Sequence, residues 1–119
     1  MSAESKNTTA LLPDGPQDLA GLAEYAPGAV VSRTLAETGG GTLTLFAFAE
    51  GQGLSEHSAP FDAIVNVVDG EGTFTVGGAP HRVGAGQILR MPAHIPHSVR
   101  AHKPFKMLLI MLRENRKTP

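Results

Sequence analysis

Glycine and proline punctuate this chain at short intervals, and that spacing constrains its fold more than any other feature. The breaks fall at Gly39-Gly40-Gly41, at Gly51 and Gly53, at Pro60, at Asp69-Gly70, at Gly77-Gly78, at Gly84-Ala85-Gly86, at Pro92 and Pro96, and at Pro104. The runs between them are apolar or alternate with period two, as Thr73-Phe74-Thr75-Val76 does. Short strand-like runs at regular spacing between turn signals predict an all-β sandwich or barrel. Several of the glycine pairs read as tight turns, with Asp69-Gly70 and Gly77-Gly78 as hairpins.

Two strand-like runs are apolar at both parities: Thr42–Ala49 and Lys106–Leu112. Strand side chains alternate between faces, so these strands must be buried on both. One face lines the barrel. The other needs a cover, supplied by a helix, an N-terminal arm or a second copy of the chain.

The chain has 119 residues, the length of one domain. It carries 10 basic and 11 acidic side chains, a net charge of −1, which leaves no electrostatic footprint for nucleic acid. It has no cysteine, so disulfides, zinc–thiolate sites and cysteine nucleophiles are excluded. No apolar run is long enough to cross a bilayer as a helix, and Met1–Lys6 lacks the apolar segment of a secretion signal. Cytoplasmic residence is the default expectation.

Residues 1–28 read as a polar arm followed by a short helix over Asp18–Tyr25, which Pro27-Gly28 would end. Residues 29–113 read as the barrel and 114–119 as a polar tail. His57 and His97 each stand at the edge of a predicted strand, one near each end of the central stretch. In a barrel they can converge. Asn66 and His94 are further candidates for the same pocket, although alternation turns Asn66 away from Ala63 unless a bulge shifts the register. His81 and His102 are expected at the surface. Ser55, His57 and Asp62 do not make a nucleophilic triad by pattern, because no glycine-flanked nucleophile elbow is present.

The stretch Gly51–Ala101 resembles the cupins, small jelly-roll β-barrels. Gly51, His57 and Gly70 fall at fixed positions of the first cupin motif, and Gly86, Pro92 and His97 at those of the second. The wording from Ser55 to Ala63 is similar to a bacterial subgroup of single-domain cupins with no settled activity. The resemblance implies a jelly-roll barrel, to which the residues before it add a short N-terminal helix and arm; it also implies frequent pairing as homodimers and a metal held by three histidines and a glutamate. Here the second motif-one histidine is Ala59, the glutamate is Ala63 and the motif-two glycine is His94. Only His57 and His97 remain as metal ligands.

Three functional readings follow. The first is a small-molecule-binding cupin with a degenerate site, in which His57 and His97 either hold a divalent transition metal (iron, nickel, manganese or zinc) or form a metal-free polar patch in an apolar pocket. The second is a cupin metalloenzyme, such as a dioxygenase, isomerase or lyase, which needs a third ligand. The third is a non-catalytic dimeric sensor or scaffold.

Overall fold

The computed structural model describes the backbone of residues 4–9 and, in full, residues 11–113. Ten strands follow one another: β1 (Glu4–Thr9), β2 (Ala29–Thr38), β3 (Gly41–Phe48), β4 (Gly53–His57), β5 (Asp62–Asp69), β6 (Glu71–Val76), β7 (Ala79–Gly84), β8 (Ile88–Met91), β9 (His97–Arg100) and β10 (Phe105–Leu112). They form a six-stranded sheet in the order β1-β2-β3-β10-β5-β8 and a four-stranded sheet in the order β4-β9-β6-β7. The two sheets face each other as an all-β jelly roll.

Three expectations change. Part of the predicted N-terminal arm is a strand, since β1 pairs in parallel with β2 along the sheet edge. The predicted helix over Asp18–Tyr25 is a single 3₁₀ turn at Leu19–Leu22. Four residues with no side-chain cap cannot sustain an α-helix; packing fixes this segment instead. Asp69-Gly70 is a corner between sheets, because β5 pairs with β8 and β10 whereas β6 pairs with β7 and β9. The predicted polar tail, 114–119, lies outside the described residues.

Between the sheets, one end of the barrel is filled by aromatic rings. Phe48 and Phe105 stack at 4.7 Å, and Phe74 meets Phe105 edge-on at 5.8 Å. All three are fully buried. Further along β10 the inward positions are Met107, Leu109 and Met111, and the filling becomes aliphatic and looser toward Met111.

The outer face of the large sheet explains the two-sided apolar strands. Leu19, Leu22, Ala23 and Tyr25 pack over Leu35, Leu45, Ala47 and Leu108 as a second core. Lys106 anchors this cover from below. It is buried, its Nζ donates to the Ala20 carbonyl at 2.6 Å, and it lies 4.7 Å from the centre of the Tyr25 ring. The Tyr25 hydroxyl donates to Asp69. Burial, and then the hydrogen bond to that carboxylate and its charge, hold the phenol far above its ordinary pKa, so it remains a donor. The cover stops short of β8, and Ile88 on that outer face is 67% exposed.

Gly72 shows how tightly the aromatic end is built. A Cβ there would sit 2.5–2.8 Å from three carbons of the Phe105 ring. That ring is held by Phe48 and Phe74 and has nowhere to go. Gly72→Ala is therefore expected to destabilise the fold by about 1–3 kcal/mol through overpacking. Urea unfolding should show a lower midpoint at unchanged slope. A midpoint equal to that of the parent protein would contradict this packing.

Candidate functional site

His57 ends β4 and His97 opens β9, and the two are cross-strand partners in the smaller sheet. Regular alternation would place Leu54 and His57, three residues apart, on opposite faces. The pairing shifts by one residue between them, so this β-bulge turns His57 to the same interior side as Leu54. His97 needs no such correction. Its neighbours Val76 across the ladder and Val99 along the strand set it inward, and it is 5% exposed. His57 is exposed, so it marks the mouth.

The two rings meet edge to face, with centroids 4.4 Å apart. Their Nε2 atoms are 3.1 Å apart. The Nδ1 of His57 lies 2.7 Å from the Ser55 carbonyl, and that of His97 lies 3.1 Å from the Ile95 carbonyl. A carbonyl oxygen only accepts, so each Nδ1 carries the hydrogen and donates it. In the neutral rings both Nε2 atoms are then lone-pair acceptors facing one another. Bare lone pairs at that distance repel, and a cation placed between the rings would relieve the repulsion.

Burial keeps His97 below the ordinary imidazole pKa. The His57 charge acts in the same direction, against the opposing effect of the bond to Ile95. His97 is therefore the neutral, accepting partner. The unfolded chain protonates this residue more readily than the folded one. The stability due to neutral His97 is complete above about pH 6.5 and is lost as pH falls through that value toward the lower folded pKa. In chelator-treated protein, the denaturation midpoint should drop between about pH 7 and pH 5. His97→Gln should flatten that segment of the profile; an identical slope in both proteins would contradict it.

A cavity of about 100 Å³ adjoins the pair. Leu54, Val99 and Leu109 line it, with Met91, Met107 and Met111. Ala59 and Ala63 also line it, and these are the positions at which the cupin resemblance expects a histidine and a glutamate. The structure thus brings His57 and His97 together with those two methyl groups. It does not bring Asn66 or His94. Asn66 lies between buried Val65 and Val67 on the opposite face, and its amide donates to the Gln87 carbonyl at 3.2 Å. His94 is exposed in the loop before β9. His81 and His102 are exposed as expected. Asp62 accepts from the Ala93 amide at 2.9 Å, and that bond, with the lesser effect of the paired Arg90, holds its carboxyl below its usual pKa; it makes no triad with Ser55 and His57. Met91, Met107 and Met111, core residues by their apolar character, border this cavity as well. Their inward parity on β8 and β10 was the available signal for that placement.

A larger groove of about 900 Å³ lies on the solvent side of the small sheet, beside Thr73, Arg82, His102 and Lys103. It is open, contains neither histidine of the pair, and has its Arg82 already paired with Glu71 at 2.9 Å.

The loop that delivers His97 is pinned at several points. The His94 amide donates to the Ala59 carbonyl at 2.7 Å, and the Gly77 amide to the Pro96 carbonyl at 2.8 Å. His94 has φ of 66°, the left-handed region that a side chain resists. It stands where the resemblance places glycine. His94→Gly should relieve about 0.5–1 kcal/mol after glycine's own entropy cost. The melting temperature should rise by about 2–5 °C; a fall would show that the imidazole makes compensating contacts.

Comparison with known proteins identifies the family. The family profile described as "Cupin domain" matches residues 44–111. The chain belongs to the cupin superfamily. A conserved protein of unknown function from Streptococcus pyogenes is 31% identical, with 89% of this cupin and 93% of that chain covered and a TM-score of 0.84. A cupin superfamily protein from Desulfitobacterium hafniense is 31% identical over 87% and 95% of the two chains, with a TM-score of 0.82. A cupin 2 conserved barrel domain protein from Leptotrichia buccalis is 42% identical over 80% of this cupin, but this spans only 46% of that chain, with a TM-score of 0.77. No curated protein matches at a significant level.

Proposed function

We propose that this cupin binds a small molecule at a metal ion held by His57 and His97. The observation that supports the reading is the pair of inward Nε2 atoms, 3.1 Å apart, with both Nδ1 hydrogens already engaged. An ion bonded to two imidazole nitrogens at about 2.0–2.1 Å holds them about 2.9–3.4 Å apart, across right-angled to tetrahedral angles. The observed spacing fits. The backbone carbonyls of Ser55 and Ile95 supply the outer-shell hydrogen bonds that fix the tautomer of a ligating histidine.

Among the described residues no group of three His, Cys, Asp or Glu side chains comes together. Two imidazoles alone leave coordination positions open, which favours binding over the metalloenzyme reading. A bound ion would supply Lewis acidity toward an oxygen atom of the ligand. The residues of the chain do the rest. His57 at the mouth and buried His97 orient the polar end of the ligand, and Leu54, Val99 and Leu109 keep water from its apolar part. The volume of about 100 Å³ is well below that of a drug-sized pocket, so the ligand is a compact molecule or one end of a longer one.

Equilibrium dialysis of chelator-stripped protein against zinc, nickel, manganese and iron(II) tests this. We expect about one ion per chain for at least one metal, with affinity at least tenfold weaker in His57→Ala and in His97→Ala. Absence of binding at millimolar metal would overturn the reading.

A further inference from the structure

The chamber beside the histidine pair is lined by sulfur. Met91 and Met107 are buried at 3% and 1% exposure, and Met111 is partly buried. All three line the same cavity of about 100 Å³ as His57 and His97. Two of them are set by the ladder itself. Met111 of β10 pairs with Ala63 of β5, and Ala63 pairs in turn with Met91 of β8. The row Met111–Ala63–Met91 therefore crosses three strands on one face, with a methyl group at its centre. Two long, flexible side chains flanking an alanine can lean together over it. Ala63 is also where the resemblance expects the carboxylate ligand, so the hard oxygen donor is replaced by a gap between two thioethers.

Donor chemistry decides which ion suits such a site. Carboxylate and water suit hard divalent ions, imidazole suits several transition metals, and thioethers select soft ions, copper(I) above all. No oxygen-bearing side chain lines this cavity. We propose that the chamber is a soft-metal site that takes copper(I), held by the Nε2 atoms of His57 and His97 together with a thioether from Met91 or Met111. The proposal rests on the metal reading of the histidine pair and names the ion. Copper(I) accepts low coordination numbers, so two imidazoles and one sulfur complete a site that would be deficient for zinc.

The test is an anaerobic titration of stripped protein with copper(I) against a colorimetric copper(I) chelator, with a parallel zinc titration. The proteins are the parent, Met91→Leu/Met111→Leu and His97→Ala. Leucine conserves the methionine volume, and circular dichroism checks that each variant is folded. We expect one copper(I) per chain, affinity at least tenfold weaker in the double-leucine variant, unchanged zinc affinity in that variant, and loss of both metals in His97→Ala. X-ray absorption of the copper-loaded parent should show a sulfur neighbour that the double variant lacks. Unmoved copper(I) affinity in the double variant, or a copper spectrum without sulfur, overturns the proposal. If zinc still binds in that case, the histidine-pair reading survives. If neither metal binds the parent, both fail.

Discussion

Two nitrogen lone pairs aimed at each other across 3.1 Å are the constraint around which this barrel is arranged. Each ring is locked by the same local device, an Nδ1–H donated to the carbonyl two residues earlier, at Ser55 for His57 and at Ile95 for His97. Rotating either ring to remove the clash of acceptors would break that bond and leave a polar group short of a partner, which burial makes costly at His97. The cheaper solution is a cation between the rings. The metal ion proposed above would meet the need without lifting a carbonyl bond.

The surrounding fold is consistent with holding this arrangement still. The large sheet is fixed on its outer side by the Leu19–Tyr25 segment and by buried Lys106, so β10 cannot drift outward. At the far end, the stack of Phe48, Phe105 and Phe74 fills the interior completely, so the free volume collects beside the histidines. Ala59 and Ala63 create that volume by being small where cupin-type ligands would be large. The methionines partly refill it with polarizable, adaptable side chains.

Much of this was legible in the residues. The spacing of glycine and proline marks nearly every strand, and motif position singles out His57 and His97. The two-sided apolar character of Thr42–Ala49 and Lys106–Leu112 foretells a cover, which the segment after the first strand supplies in part. Other features were not legible, each for a physical reason. The polar stretch Glu4–Thr9 has no alternation, because an edge strand needs only backbone bonds on one side. Asp69-Gly70 reads as a hairpin in either topology, since the same left-handed glycine serves a turn or a corner between sheets. The bulge before His57 leaves no local mark, yet it decides which way that ring faces. That Met91 and Met111 flank Ala63 follows from register across three strands, which no local pattern carries.

The tautomers of the two histidines test the central claim most directly. Long-range proton–nitrogen NMR of the imidazole rings, recorded near pH 8 before and after one equivalent of metal, reads the state of all four ring nitrogens. The expected spectrum has hydrogen on Nδ1 of both His57 and His97 throughout, with metal shifting both Nε2 signals together. A neutral ring carrying its hydrogen on Nε2, or a metal that moves only one of the two Nε2 signals, would contradict a shared cation between them.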